Sequence, residues 1–297
     1  MISKKLYGLK NYFQNLINLF ETSKLPKVLM FSGDKGQGKM TLAHHFVSYI
    51  FDKKNYNLTN MMIEKSNILF NDLKENYNQN IIYFNCKDNN VKIENIRKLK
   101  IDLQKTSINN LPRFIIFDDV EYLNENCINA ILKTIEEPTQ VNYFILINNR
   151  TQKILDTLKS RSIEIRIFLK NIEKSEVISK IITDFKIKEN ISLKDSNLTP
   201  GNYLNYTSII NDEKIEINND LTTNIEKLIR LYKTKKNIDF LNFAIYLINQ
   251  FYFKKSKSEQ NIDYYNDKRV NIIKKINILN KLNLNNKNLI AELKNYI

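Results

Sequence analysis

The sequence predicts an α/β fold, in which a parallel β-sheet is covered by helices on both faces and is followed by a helical C-terminal region. Five short apolar runs, typical of strands buried on both faces, recur between residues 28 and 167. Helical patterns separate most of these runs, and strands that alternate with helices favour a parallel sheet. After about residue 168 the strand pattern fades and helical periodicity takes over.

The individual elements follow from composition and spacing. The segment 52–80 is rich in Asn and Lys, and we predict a helical insertion there. Helices are predicted over 171–185 and from about 222 onward; within the latter, 239–253 is apolar nearly all round and 254–260 is expected to be a polar loop. The predicted strands are VLMFS (28–32), IIYFN (81–85), RFIIFDD (113–119), FILIN (144–148) and IEIRI (163–167).

The composition is that of a folded protein with a strong positive charge. A chain of 297 residues is long enough for two or three compact units. The net charge of +14 is compatible with a nucleic-acid partner, because Lys and Arg release counterions from phosphate backbones. However, 39 of the 46 basic residues are lysines spread along the chain, which also fits an A- and T-rich genome. Both interpretations remain open.

The cysteine and hydropathy patterns point to a cytoplasmic protein. Cys86 and Cys127 lie far apart within apolar stretches, so we expect two core residues and neither a disulfide nor a cysteine metal site. The N-terminal segment lacks the apolar core and cleavage site of a signal peptide, and no apolar run approaches the roughly 18 residues of a membrane span.

A glycine-rich loop, GDKGQGK, joins the first predicted strand to a predicted helix. Glycines at 33, 36 and 38 would let backbone N–H groups converge on phosphate oxygens, and Lys39 would reach the outer phosphates. The sequence therefore predicts a phosphate loop built from Gly33, Gly36, Gly38 and Lys39. The alternative is a strand-to-helix turn that binds no ligand.

The next position weakens this chemistry. A phosphate loop places a Ser or Thr hydroxyl on magnesium here, and this chain has Met40, whose thioether is a poor ligand for a hard cation. Thr41 is counted with the candidate nucleotide-binding residues, although it lies about 100° further round the helix. Magnesium-nucleotide binding is therefore expected to be weak or absent.

Two aspartates end the third predicted strand. Asp118 is placed to present a carboxylate to a magnesium shell. Asp119 stands where active motors with a phosphate loop commonly carry a Glu, whose longer side chain orients the attacking water. We therefore expect little hydrolysis. Alternatively, these residues simply cap the turn that follows the strand.

A longer string, residues 114–162, contains the motif NAILKTIEEP, a helix with one apolar face that is ended by Pro138. It continues through FILINN to Ser160-Arg161-Ser162. This string resembles the clamp-loader branch of the AAA+ ATPases, whose signature is an LLKTLEEP helix, a strand and a Ser-Arg-Cys turn. Together with LPKVLMFSGDKGQGKMTLA and TPGNYLNY (199–206), it is most similar to the delta-prime family of bacterial DNA polymerase III clamp loaders.

The resemblance implies an organisation and residue roles. It implies an AAA+ P-loop domain over 1–167, a helical lid over 168–210 and a helical collar over 211–297. Arg161 stands where the family places an arginine finger, which serves the ATP site of a neighbouring subunit; the alternative is a surface Arg in a salt bridge. Asn148 aligns with the first sensor of γ-phosphate, with an ordinary strand-end cap as the alternative.

Three departures from the family pattern matter. Ser162 replaces the usual Cys, which is a small polar change. Asn202 replaces an Arg that touches nucleotide in active members, which further disfavours hydrolysis by this chain. Many relatives bind zinc through cysteines between the phosphate loop and the second strand, but 52–80 has no Cys, and the adjacent His44 and His45 diverge by about 100°. We predict no zinc.

The resemblance thus implies a stator with little or no ATPase activity of its own. Such a subunit would complete a ring with motor (gamma/tau) and delta subunits, supply Arg161 in trans, and help load the sliding β-clamp onto primed DNA. The main alternative is an active gamma/tau-like motor, against which Met40 and Asn202 argue. A stand-alone basic nucleic-acid-binding protein and a phosphate-loop kinase are less favoured, since neither explains LKTIEEP followed by Ser-Arg-Ser.

Overall fold

A computed structural model of the protein describes residues 3–67, 80–87, 91–105, 111–193, 197–217, 220–259 and 262–282. The chain divides into two compact units. The first comprises Met1–Asp184 with Thr199–Gly201, and the second comprises Phe185–Leu198 with Asn202–Ile297. The three-domain division expected from the sequence stays a prediction.

The first unit is built around a five-stranded parallel sheet in the order β4-β5-β6-β1-β7. All five predicted strands are present, and their bounds differ from the predicted ones by at most two residues. Four central positions of β5 are completely buried, as a strand covered on both faces requires. The strands of this sheet are β1 Val28–Ser32, β4 Ile81–Asn85, β5 Arg113–Asp118, β6 Asn142–Asn148 and β7 Ile163–Arg166.

Helices cover both faces of this sheet. On one face, α3 and α4 share an apolar core with alternate residues of β5 and β6. This core includes Ile115 and Phe117 of β5 and Cys127 of α4. On the other face, Phe46 of α2 packs edge-on against Phe114 at 5.8 Å between ring centroids. The helices of this unit are α1 Lys10–Glu21, α2 Lys39–Phe51, α3 Ile93–Gln104, α4 Glu125–Glu136, α5 Asp156–Lys159 and α6 Asn171–Phe185.

The segment 52–67 corrects one prediction. It forms a short antiparallel hairpin, β2 (Tyr56–Asn57) and β3 (Met62–Ile63), after a single 3₁₀ turn, and not the predicted helical insertion. Its polar side chains bond one another locally: Asn55 donates to the Asp52 carboxylate at 3.0 and 3.1 Å, and Ser66 donates to Asn55 at 2.8 Å. Such local bonds favour turns over helix. The remainder of the predicted insertion, 68–79, lies outside the described residues.

The second unit is helical, as the periodicity predicts. Its helices are α7 Pro200–Asp212, whose first two residues belong to the first unit, α8 Leu221–Lys235, α9 Asp239–Glu259 and α10 Ile262–Leu282. Tyr206 stacks on Phe243 with 4.8 Å between ring centroids. The predicted polar loop at 254–260 is wrong as far as the structure describes it, because α9 continues to Glu259. Lys, Ser and Glu are compatible with helix on an exposed surface.

Both cysteines are buried, free thiols, as the sequence predicts. None of the helices in the described ranges is long and apolar enough to cross a bilayer. Over those same ranges, no three His, Cys, Asp or Glu side chains are grouped so that they could hold a metal ion. The absence of zinc stays a prediction.

Candidate functional site

The carboxyl edge of the sheet brings the sequence-predicted residues to one side of the first unit. In the strand register, Ser32 at the end of β1 pairs with Asn148 of β6 and with Arg166 of β7. Asp118 ends β5 at the same edge, opposite Asn85 of β4. Crevices at the carboxyl ends of parallel strands are where α/β proteins bind ligands. The predicted loop and both aspartates therefore lie at the expected position.

The glycine loop begins where β1 leaves the sheet. Gly33 N–H donates to the Asn148 carbonyl at 3.2 Å, and Ile167 N–H donates to the Ser32 carbonyl at 2.8 Å. The backbone of Gly33 has φ +152°. Gly38, with φ +85°, precedes the first residue of α2, so the helix N-terminus opens directly onto the loop. This is the backbone arrangement that a phosphate loop requires.

Lys39 is folded back onto its own loop. Its Nζ donates to the carbonyls of Gly33 at 2.6 Å and Asp34 at 2.8 Å, and only 2% of the residue is exposed. Burial lowers the pKa of Lys39 to about 8, although the carboxylates of Glu121, Asp118, Asp34 and Asp119 oppose this shift. The ammonium group serves as an internal tie of the loop in this conformation.

The magnesium side of the site does not fit the ion. Met40 occupies the first turn of α2 at the position where a hydroxyl ligand is needed, and Thr41 follows it, partly exposed, further round the helix. Asp118 accepts hydrogen bonds on both oxygens, from Tyr83 Oη at 3.2 Å and from Asp119 N–H at 3.0 Å. Burial, assisted by the charge of Asp119, raises the pKa of Asp118 to about 6. A carboxylate whose two oxygens already accept internal hydrogen bonds is a poor magnesium ligand.

Asp118→Asn is expected to raise the free energy of unfolding by about 1 to 3 kcal/mol at pH 7.5 and to change it little at pH 4. Because the folded-state pKa of Asp118 exceeds its ordinary value, the folded chain carries an electrostatic cost that is fully present above about pH 6 and is lost as the pH falls from 6 to the ordinary value of 3.8. Asparagine removes the cost at every pH. Urea denaturation at the two pH values measures the difference.

Asp156→Asn provides the control, since that carboxylate is 81% exposed and, among the residues that the structure describes, forms an ion pair only with Lys153 at the surface. It should change the free energy of unfolding by less than about 0.5 kcal/mol at either pH. An equal effect of Asp118→Asn at pH 4 and pH 7.5 would show that its charge is not what costs stability.

Asp119 is engaged by a residue that the sequence analysis did not single out. Its Oδ1 accepts a hydrogen bond from Asn149 Nδ2 at 2.6 Å, and its backbone lies in the left-handed region with φ +54°. The buried Glu121 binds the same loop, accepting from Asn149 N–H at 3.1 Å and from Thr151 Oγ1 at 2.8 Å. Asp119 and Glu121 thus fix the loop after β6. Because Asn148 and Asn149 are adjacent and of the same type, the sequence does not indicate which of them contacts Asp119.

Asn148 itself is buried at the end of β6. Its Oδ1 accepts a hydrogen bond from Arg150 N–H at 2.8 Å, as in a common cap of a strand end. Its role as a sensor stays a prediction.

The segment Thr199–Gly201, the start of the predicted second-sensor motif, lies against the glycine loop within the first unit. Thr199 Oγ1 donates to the Lys35 carbonyl at 2.8 Å, and Gly201 N–H donates to the Gly36 carbonyl at 2.9 Å. A Cβ on Gly201 would lie 2.7 Å from the Gly36 Cα, so only glycine allows this approach. Asn202 follows in α7 and belongs to the second unit.

Arg161 follows α5 in a tight turn. Its Nε donates to Glu136 Oε1, and its Nη1 donates to the Thr157 carbonyl at 3.0 Å and to Ser160 Oγ at 3.3 Å. The side chain remains 35% exposed. Ser162, in place of the usual Cys, donates from Oγ to the Leu158 carbonyl at 3.1 Å and closes the turn. The arginine is therefore both salt-bridged and accessible.

A family model described as DNA polymerase III, delta subunit, matches residues 8–171, which is more than half of the chain. The matched region includes the glycine loop, both aspartates and Arg161. Several curated relatives come from Buchnera aphidicola. The DNA polymerase III subunit gamma of the subspecies Schizaphis graminum is 27% identical over 209 residues, covering 65% of this chain and 56% of the relative.

The second relative is the DNA polymerase III subunit delta' of the subspecies Acyrthosiphon pisum, which is 27% identical over 190 residues, covering 60% of this chain and 57% of the relative. The chain thus spans a little over half the length of these relatives. Among solved structures, a DNA polymerase III gamma subunit-related protein from Thermotoga maritima has a TM-score of 0.51 at 16% identity, covering 94% of this chain and 97% of that one. This similarity concerns the fold, and it confirms the predicted α/β fold class with a helical C-terminal region.

Proposed function

We propose that this chain, which belongs to the DNA polymerase III delta-subunit family, acts as the delta-prime-like stator of a clamp loader. In this role it completes an ATPase ring without turning over ATP itself. The observation that supports the proposal is a contrast within one molecule. Its own loop lacks the hydroxyl that would hold magnesium, whereas an accessible arginine stands where the resemblance places the arginine finger.

The disabled half of this contrast rests on three side chains. Met40 supplies no hydroxyl. Asp118 has a raised pKa, and both of its oxygens accept internal hydrogen bonds. The Lys39 ammonium group donates to carbonyls of its own loop. Hydrolysis needs a magnesium ion that bridges phosphates and a well-placed water. Asp119 stands where active motors carry the Glu that orients this water, and its carboxylate already accepts a hydrogen bond from Asn149.

The functional half rests on Arg161. A guanidinium is always charged and presents its donors in a rigid plane, which suits the charge that develops on a transferring phosphoryl group. This arginine lies in a turn whose backbone is fixed by Leu158, only 1% exposed, and by the hydrogen bond of Ser162. The guanidinium is thus placed firmly at the surface, as a group acting on another subunit must be.

The proposed partners follow from the family. The ring would contain this chain, a delta-type subunit and several motor subunits, and it would place a sliding clamp on primed DNA. The charge of +14 would then favour contacts with DNA backbone phosphates, which carry no sequence information. The helices of the second unit would contribute to the collar that holds the ring together.

Reconstitution tests this proposal. Motor and delta subunits from the same source are mixed with or without this chain, and clamp loading onto primed DNA is measured together with ATP turnover. We expect efficient loading only in the complete mixture, and no ATP turnover by this chain alone. Magnesium-dependent ATPase activity of the isolated chain, lost in Lys39→Ala, would instead favour the active motor. Full loading without the chain would contradict the stator role.

A further inference from the structure

The chain itself engages two of the three nitrogens of the Arg161 guanidinium. Nε is engaged by Glu136, and Nη1 by the Thr157 carbonyl and Ser160 Oγ. No residue in the part of the chain that the structure describes accepts a hydrogen bond from Nη2. Because the group is planar, contacts on Nε and Nη1 fix the direction in which the Nη2 donors point.

Glu136 occupies an unusual place for a carboxylate. It is the last residue of α4, where the helix dipole disfavours negative charge, and it is exposed. The contact with Arg161 offsets this local cost. The segments that carry Glu136 and Arg161 are both fixed by buried neighbours, since Ile135 of α4 and Leu158 of α5 lie in the same apolar core. The ion pair therefore connects two rigid elements.

We propose that Glu136 is the positioning residue of Arg161: it holds the guanidinium so that its Nη2 donors face the phosphate of the neighbouring subunit. This inference rests on the proposed function, because it requires Arg161 to act in trans. Glu136 itself touches neither nucleotide nor the reacting atoms. Its contribution is to remove the rotational freedom of a long side chain before the neighbour's transition state forms.

The size of the expected effect follows from this mechanism. A freely rotating arginine must be ordered during each turnover, so Glu136→Ala should lower the kcat of the assembled ring about tenfold. KM for ATP should change little, since the finger acts on the transition state rather than on the bound substrate. Glu136→Gln keeps an oxygen that accepts from Nε, so it should restore most of the rate.

The chain supplies a matched control. Glu137 is the next residue, equally acidic and exposed, and its side chain forms no hydrogen bond or salt bridge with the described residues. Glu137→Ala should leave turnover unchanged. The experiment compares Glu136→Ala, Glu136→Gln, Glu137→Ala and Arg161→Ala in complete rings, after assembly of each ring has been verified by size-exclusion chromatography. The double variant Glu136→Ala/Arg161→Ala completes a thermodynamic cycle.

The outcomes separate the two proposals. If Arg161→Ala has no effect, the finger itself is wrong and the positioning role falls with it. If Arg161→Ala slows the ring but Glu136→Ala does not, or speeds it up, then only the positioning role is overturned. Support requires a kcat loss in Glu136→Ala, rescue by Gln, and no added loss when Glu136→Ala is combined with Arg161→Ala. An added loss in the double variant would show that Glu136 acts on something other than Arg161.

Discussion

Arg161→Ala is expected to reduce ATP turnover and clamp loading by the reconstituted ring at least about tenfold, because an arginine finger contributes on the order of 10³ to 10⁵ to the rate at a single site. Only one of several sites borders this chain, so the prediction takes the sites to act in sequence, with the slowed site limiting the whole cycle of the ring. DNA-stimulated ATPase and a primed-template loading assay measure it. The ring should still assemble, because Arg161 is partly exposed and its loss leaves the buried core intact.

Two variants sharpen this prediction. Arg161→Lys keeps the charge but loses the planar fork, so it should restore little activity. Lys159→Ala removes an exposed positive charge from the same turn and should leave turnover unchanged. A normal rate in Arg161→Ala would show that Arg161 is not a finger. An equal loss in Lys159→Ala would show that the net charge of this surface matters instead.

Gly33→Ala is expected to lower the free energy of unfolding of the first unit by about 3 kcal/mol or more. The backbone of Gly33 has φ +152°, which L side chains rarely adopt, and an added Cβ would penetrate the carbonyl oxygen of Ile167. This oxygen belongs to the backbone where β7 ends, so it has no rotamer by which to move away. Urea denaturation followed by circular dichroism measures the change.

Gly38→Ala serves as the matched control in the same loop. Its φ of +85° also disfavours a side chain, but the nearest atom to an added Cβ is the flexible end of Leu9, at 3.1 Å. We expect a loss of about 1 to 2 kcal/mol, clearly less than for Gly33→Ala. Equal losses in the two variants would show that left-handed backbone strain, and not the contact with Ile167, determines the effect.

The sheet and its loop were predictable because their signals are local. Strands buried on both faces need continuous apolar runs, and this requirement marked all five strands of the sheet. The glycines of the loop are likewise visible in one short segment. The LKTIEEP string identified the family through residue types that periodicity alone does not require, and the match over 8–171 confirms that family.

The parts that were missed depend on partners distant in sequence or on competing local bonds. The hydrogen bonds from Asn149 to Asp119 and from Thr151 to Glu121 join segments that are about 30 residues apart. No residue pattern in either segment predicts these bonds. The same holds for the pairing of Arg161 with Glu136, 25 residues earlier. The segment 52–67 forms a hairpin and not the predicted helical insertion. The Asn55 side chain donates to the Asp52 carboxylate in the turn before this hairpin, and composition alone does not reveal such a local bond.

The measurement that most directly tests the stator account compares Arg161→Ala with Lys39→Ala in otherwise identical reconstituted rings, using DNA- and clamp-stimulated ATP turnover. The account predicts a sharp loss in Arg161→Ala and a nearly normal rate in Lys39→Ala, provided that both rings assemble equally. A severe loss in Lys39→Ala combined with a normal rate in Arg161→Ala would contradict it. In that case this chain would bind and hydrolyse its own ATP despite Met40.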